Sequence, residues 1–416
     1  MTASTDVIVI GAGPYGLSTA AFLRGKGIAH KIIGKPMHTW RNHMPKGMFL
    51  KSAGLSATMF DPGGLFSLKK YCEYNGIEFR DEGLPISLEL FAQYGMAFQK
   101  EFAPEIIESY VTQLCEIDGG FEVHLEDGSI HHAKQVVCAV GIDFFRHLPL
   151  PLKSLPKELY SHSAEHFGME KFAGQNVIVI GSGSSAIDIA VLLHEHGARS
   201  HLVARRPELS FGTEEGDSRI LFDRILAPMS GLGPGWMNLL CCDAPWLFRY
   251  LPESLRLKTV KNFLGPSGGW FIKKRLEPVP VSLGHRLKAA YAKDGRPHLV
   301  FTLADGQERV LKADHVIAAT GYKPDVNRIG FISKNIIRKL DQVHSTPRLN
   351  RHFESSVKGL YFAGPAIANS FGPVMRFAIG AGFAADQISK HLATRPKAKP
   401  VSATAAPHIA GKQYQT

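Results

Sequence analysis

Asp6-Val-Ile-Val-Ile10-Gly11-Ala-Gly13-Pro14-Tyr15-Gly16 is the stretch on which the fold of this chain turns. A continuous β-branched run such as Val7–Ile10 belongs to a strand buried on both faces. The spaced glycines follow at once, and Leu17, Ala21, Phe22 and Leu23 behind them open a helix. Each glycine has a physical task. Gly11 permits the tight turn, Gly13 lets a pyrophosphate approach the backbone, and Gly16 lets the helix pack closely on the strand. The unpaired N–H groups and positive dipole of the helix N-terminus favour phosphate. With the next apolar run, Lys31-Ile-Ile33, this is a βαβ unit built for a dinucleotide. An acidic residue about 20 positions on usually holds the ribose, but Gly34 and Lys35 stand there instead. Backbone groups or another side chain, for example Lys35, must serve the adenosine.

The same grammar returns 170 residues later. Asn176-Val-Ile-Val-Ile180 is a strand, Gly181-Ser-Gly183-Ser184-Ser185-Ala186 a turn, Ile187–His196 a helix, and His201–Ala204 the next strand. Ala186 replaces the third glycine, and Arg205 and Arg206 follow the strand. The planar fork of an arginine suits a 2′-phosphate, so NADPH rather than NADH is the expected ligand. Hairpins at Asp127-Gly128 and Asp305-Gly306 precede the strands Gln135–Val140 and His315–Ala319. A last strand, Gly359–Ala363, returns to the first sheet and leads into a long helix from Val374 to Leu392, opened by Pro373. The expected fold is therefore α/β, with two Rossmann-like dinucleotide-binding domains, the second inserted in the first. Residues 1–165 and 305–394 form the first domain, and 166–304 form the second, with a Trp-rich insertion at 211–275. Residues 395–416 read as a disordered tail.

Composition narrows the function. The chain has 416 residues, 44% of them hydrophobic, with 48 basic against 37 acidic side chains. That excludes collagen, coiled coil and wholesale disorder. No basic block marks a nucleic-acid groove. Five cysteines, an odd number without a C-x-x-C pair, argue against a disulfide scaffold, a dithiol reductase and a zinc ribbon. A reducing compartment, the cytoplasm, is expected. Ile225–Cys242 is uncharged but interrupted by Pro228, Gly231, Gly233, Pro234 and Gly235, which a spanning helix would not carry together. His194 and His196 lie two apart and point to different helix faces, so no metal site is read there. Paired His131-His132 falls in a hairpin return and is expected to be exposed.

Val7–Gly16, Val177–Ala186, Arg205-Arg206 and Ala319-Thr320-Gly321-Tyr322-Lys-Pro324 together resemble the flavin-dependent monooxygenases. That superfamily includes the flavin-containing monooxygenases, the Baeyer–Villiger enzymes and the ornithine and lysine N-hydroxylases. The resemblance runs from about residue 5 to 393. It implies FAD in the first domain and NADPH in the second, with a small-molecule substrate and molecular oxygen as partners. In such enzymes NADPH reduces the flavin, and a C4a-hydroperoxyflavin passes one oxygen atom to a nitrogen or sulfur nucleophile. By the same resemblance Pro14, Tyr15, Lys35, Trp40, Lys51, Ser52, Gly141, Thr320, Gly321, Tyr322, Gly364, Phe371 and Gly372 lie along the cofactors. Asn369 and Ser370 are the catalytic candidates, beside the positive end of the long helix. There are departures. Pro156 and Glu158 replace the Phe and Gly of the domain-joining signature, although His162-Ser163 is kept and an aromatic follows late, at Phe167. This fits the Baeyer–Villiger enzymes poorly and the N-hydroxylases better. Trp236, Trp246 and Trp270 are expected to cover the substrate, with a packed subdomain under long loops and a membrane-surface patch as the other readings of this block. Two other readings stay open, an NADPH oxidase or reductase without oxygen insertion and a redox-silent flavoprotein acting by interaction. Homo-oligomer formation is left open too.

Overall fold

Val7, Ile8 and Val9 are fully buried in strand β1 (Thr5–Ile10), in the middle of a six-stranded sheet. The computed structural model describes residues 5–212 and 225–395, and strands are numbered in chain order. Strand β1 pairs in parallel with β2 (His30–Ile33) on one side and β5 (Ile130–Cys138) on the other. Strands β3 (Val111–Ile117) and β4 (Gly120–Leu125) extend the sheet antiparallel from β5. Between β1 and β2 runs the helix Pro14–Gly25.

A second, all-parallel sheet has the order β6–β13–β7–β8–β9. Its strands are β6 (Tyr160–His162), β7 (Asn176–Ile180), β8 (Arg199–Val203), β9 (Val281–Ser282) and β13 (His315–Ala318). Strands β10 (Arg286–Lys293), β11 (Arg296–Thr302) and β12 (Glu308–Lys312) form an antiparallel sheet. The pair β14 (Gln342–Val343) and β15 (Thr346–Pro347) forms a small ribbon. Strand β16 (Leu360–Phe362) then returns to pair in parallel with β5. The molecule is a mixed α/β fold with parallel sheets. No helix among the described residues is long and apolar enough to cross a membrane.

Sheet membership shifts the expected boundaries. Tyr160–His162 falls before residue 165 and His315–Ala318 after residue 305, yet both belong to the second sheet. Val316 and Ile317 are wholly buried between β6 and β7, so this strand has neighbours on both sides and no free edge to offer the first sheet. The chain touches the first sheet again at Ile332, through an isolated bridge to Leu114 of β3, and adds a strand to it at Leu360. The expected tail 395–416 lies outside the described residues apart from Arg395, as does part of the Trp-rich insertion.

The long C-terminal helix begins later than expected. Pro373–Arg376 makes one 3-10 turn, Phe377 is extended, and the helix proper is Gly380–Ala393. Two distant partners impose the break. The Arg376 guanidinium donates to the carbonyls of Val260 and Phe263 at the end of helix Glu253–Asn262. The Tyr15 hydroxyl donates to the Phe377 carbonyl at 2.9 Å. Gly380 is needed there, because a Cβ would lie 2.5 Å from the Tyr15 hydroxyl oxygen. The histidine pair is also less exposed than expected. His131 meets Lys31 at 3.1 Å and His132 meets Glu122 at 3.1 Å, both half-buried across the sheet.

Candidate functional site

At the first turn the glycines divide their work as the spacing demands. Gly11 has φ +108°, and a Cβ there would lie 2.3 Å from the Ala139 carbonyl oxygen. A Cβ on Gly16 would lie 1.8 Å from the Gly11 carbonyl oxygen. Above Gly13 there is nothing within 4 Å, and no side chain caps the helix it opens. The N–H groups of that helix end are left for an anion. They face a cavity of about 570 Å³. Gly11, Gly13, Pro14 and Tyr15 line it, as do Lys35, Trp40 and Gly141, while Gly16 packs beneath. Gly364 abuts the Tyr15 ring, and its neighbour Pro365 reaches the cavity wall.

Other wall residues escape sequence reasoning because they come from distant segments. Ser109 is 6% exposed, and its hydroxyl has no hydrogen-bond partner. Lys35 lies over the Tyr110 ring at 4.3 Å. Asp143 is the one carboxylate among the described lining residues. Thr39 donates to it at 2.5 Å, His43 meets it at 3.0 Å, and Arg146 lies at 3.7 Å. An acid is therefore present in this cavity, but it follows β5 instead of β2.

The second turn repeats the geometry. Gly181 has φ +155°, and a Cβ there would lie 2.3 Å from the Ala319 carbonyl oxygen and 2.8 Å from the Ala186 methyl. Helix Ser184–Glu195 likewise starts without a side-chain cap, with Ser184 and Ser185 in its first turn. Arg205 and Arg206 stand exposed just beyond β8, whose Val203 carbonyl accepts from the Gly181 N–H. One difference separates the turns. The Cβ direction of Gly183 points at Pro266, 3.3 Å away. The strap Leu264–Gly269 thus covers the second turn, and a pyrophosphate reaching the Gly183 backbone has to displace Pro266.

Beneath this turn Asp188 is 2% exposed and bonds the Ser184 hydroxyl at 3.0 Å. Burial raises its carboxyl to about 7, against smaller opposing effects from Ser184 and Arg275. The folded protein therefore holds a proton that the unfolded chain releases near pH 4. This contribution to stability is complete below pH ~4 and is lost as pH rises to about 7. An Asp188→Asn variant, neutral at every pH, should gain stability over the unmodified protein at pH 8 by a few kcal/mol relative to the comparison at pH 5, at about 1.4 kcal/mol per unit. Urea midpoints at the two pH values check it, and equal differences would refute a protonated Asp188.

A second cavity of about 380 Å³ lies under the strap. Lys51 and Ser52 line this one and not the first, and Lys51 bonds the Ser267 hydroxyl of the strap. Burial, with Arg376 nearby, lowers the Lys51 pKa. Phe377 belongs to the walls of both cavities. Of the three tryptophans in the insertion, Trp270 lines the second cavity, whereas Trp236 and Trp246 are 62% and 52% exposed. The expected substrate cover reduces to Trp270.

The remaining candidates line neither cavity and have these partners. The Asn369 amide donates to the Thr346 hydroxyl at 3.0 Å, and its carbonyl accepts from Arg256. Ser370 is 4% exposed and reaches the Pro347 carbonyl at 3.5 Å. Phe371 stacks on Phe353 at 4.0 Å, and Gly372, with φ +93°, faces the Phe248 ring. None of the four lines either cavity. Thr320 bonds the His147 carbonyl. The Gly321 carbonyl accepts from the His147 N–H and from His162 Nε2. The Tyr322 ring packs edge-on to His162 at 5.3 Å, and burial raises its phenol to about 12. His162 accepts the Ala164 N–H on Nδ1, so it is the neutral Nε2–H tautomer that ties the Thr320–Tyr322 segment down.

Residues 8–221 match the family model described as pyridine nucleotide-disulphide oxidoreductase. The chain is 26% identical over 345 residues to the indole-3-pyruvate monooxygenase YUCCA1 of Oryza sativa subsp. japonica, covering 77% of each chain. It is 25% identical over 363 residues to a ferredoxin–NADP reductase of Ignicoccus hospitalis, covering 86% of this chain and 89% of that one. The solved structure of ornithine hydroxylase (PvdA) from Pseudomonas aeruginosa superposes with a TM-score of 0.73 at 16% identity. That match covers 94% of this chain and 99% of the other, and it is a likeness of fold.

Proposed function

The chain belongs to the pyridine nucleotide-disulphide oxidoreductase family, and from that premise we propose that it is an FAD- and NADPH-dependent monooxygenase. It inserts one atom of molecular oxygen into a small nitrogen- or sulfur-containing substrate. The observation that carries this reading is the pair of uncapped helix ends at Gly13 and Gly183, one open to a large cavity and the other followed by two arginines. The NADPH-binding domain is inserted in the FAD-binding domain, and the chain crosses between them before β6 and after β13.

The first cavity fits FAD. Gly13 leaves room for the pyrophosphate, the orphaned Ser109 hydroxyl is free for the adenosine, and Asp143 takes over from the acid missing after β2. At the second turn Ser184, Ser185, Arg205 and Arg206 hold NADPH. When bound, the two cofactors supply hydride transfer and activation of oxygen. The protein's own part is binding, orientation and exclusion of water. Phe377 forms a wall shared by the two cavities, which supports the second cavity, lined by Trp270 and the strap, as the site of the substrate. Lys51, expected on the flavin, is assigned to this second cavity. One of the named relatives, the ferredoxin–NADP reductase, supports a second reading, an NADPH-dependent reductase without oxygen insertion. The sequence has no C-x-x-C pair, so dithiol chemistry is not part of either reading.

The test is the fate of oxygen. Enzyme turning over NADPH with a panel of amines and thiols under isotope-labelled O₂ should place label in one product, with one NADPH consumed per product formed. Peroxide equal to NADPH for every compound tried would establish the oxidase or reductase reading. A flavin that NADPH fails to bleach would mean a redox-silent protein.

A further inference from the structure

Trp236, Met237 and Leu240 project from helix Trp236–Asp243, each at least half exposed. Trp246, Leu247 and Tyr250 continue this surface through the short helix Pro245–Phe248 and the turn beyond it. With Leu251 and Leu255 included, eight of the twenty exposed large apolar side chains among the described residues fall between 236 and 255. The same segment already buries an inward face through Cys241 and Phe248, the latter against Gly372. Its outward apolar face is a second one, without a partner in the described chain. A concentration of this kind marks an interaction surface.

Charge decides which partner fits. Between 236 and 261 there are four basic residues and two acidic ones, and of the four only Arg256 is buried, on the Asn369 carbonyl. One of the two acids, Glu253, is held by Arg348 at 2.9 Å. Lys258 and Lys261 stand exposed on the following helix. The Arg249 guanidinium lies 5.5 Å from the centre of the Tyr250 ring. A second copy docking through the same face would oppose one basic surface to another. An anionic lipid surface is complementary. Tryptophan and tyrosine settle at the headgroup level, leucine and methionine enter below it, and lysine and arginine reach lipid phosphates. We propose that residues 236–261 form a docking face for an anionic membrane surface, held peripherally. Asn238 lies on the first of these helices and lines the second cavity, so docking brings that cavity beside the lipid. A lipid-dissolved substrate follows from this only if the proposed function holds, whereas the docking itself does not depend on it.

Vesicle sedimentation tests the proposal on the full-length protein. Vesicles containing phosphatidylglycerol should pellet the protein, and pure phosphatidylcholine vesicles should pellet far less. A Trp236→Ala/Trp246→Ala double variant should bind at least about tenfold more weakly. Lys258→Glu should weaken binding by about fivefold, shrinking as salt is raised. Brominated lipid should quench the tryptophan fluorescence of the unmodified protein, which keeps the test valid if a variant fails to fold. Unmodified protein left in the supernatant with phosphatidylglycerol vesicles would overturn the proposal. So would equal binding by the folded double variant, or a dimer that Trp246→Glu converts to monomer. Incorporation of labelled oxygen into product, read on the same samples, reports the monooxygenase reading separately.

Discussion

A Gly13→Val variant should fold normally and purify without flavin. The structure makes this position unusually clean. Gly13 has φ −89° and ψ −170°, extended backbone that any residue adopts, and its Cβ direction is open. The Cβ of a valine there has no protein atom within 4 Å. It fills the space that a pyrophosphate needs in order to reach the helix N-terminus. Gly11 and Gly16 make the contrast, because a Cβ at either would sit within 2.3 Å of a backbone oxygen. Gly16→Val should therefore damage folding itself, and its loss of flavin would carry no information about the site. The ratio of flavin to protein absorbance, beside circular dichroism and a urea midpoint, separates the two outcomes. A folded Gly13→Val protein retaining its full flavin would remove FAD from the first cavity.

Legibility follows the range of the physics. The two glycine turns are local constraints, in which the residue at one position clashes with a carbonyl a few places away or at the end of an adjacent strand. They stand where the spacing puts them. Strands buried on both faces were equally plain, since Val7–Val9 and Val177–Val179 need no partner beyond their own pattern to be recognised. The C-terminal helix shows where this stops. Val374–Leu392 continues a helical pattern, and Pro373 is a sound first-turn residue. The pattern contains no trace of the Tyr15 hydroxyl 362 residues away, or of the carbonyls that Arg376 caps. The same long range hides Ser109, Asp143 and Phe377 as cavity walls. Lys51 illustrates a subtler failure. Its neighbourhood in sequence is that of the flavin, but the partner that fixes its side chain is Ser267, in the insertion. Trp236 and Trp246 invert the usual expectation, because large aromatic side chains in a Pro- and Gly-rich block read as a cover when they form a surface.

Arg205→Ala should raise the KM for NADPH by roughly ten- to a hundredfold and leave NADH nearly unaffected. The argument needs one phosphate and two exposed guanidinium groups beyond β8. A hydrogen bond to a charged group contributes about 1.5–3 kcal/mol, and about 1.4 kcal/mol is tenfold in affinity. KM reports this change where substrate release outpaces chemistry. NADH lacks the 2′-phosphate and has nothing to lose. Because the arginines are exposed, the penalty should shrink as salt rises, since the attraction is already screened in the unmodified enzyme. Arg205→Lys should recover part of the affinity through charge but not the bidentate geometry. Arg206 has a second neighbour, with its Nη2 3.6 Å from where a Cβ on Gly265 would stand, at the start of the strap. Arg206→Ala should therefore disturb both nucleotides, by loosening the strap, as well as the preference between them. Equal use of NADPH and NADH by the unmodified enzyme would overturn the assignment of these arginines, and with it the identity of the nucleotide at the second turn.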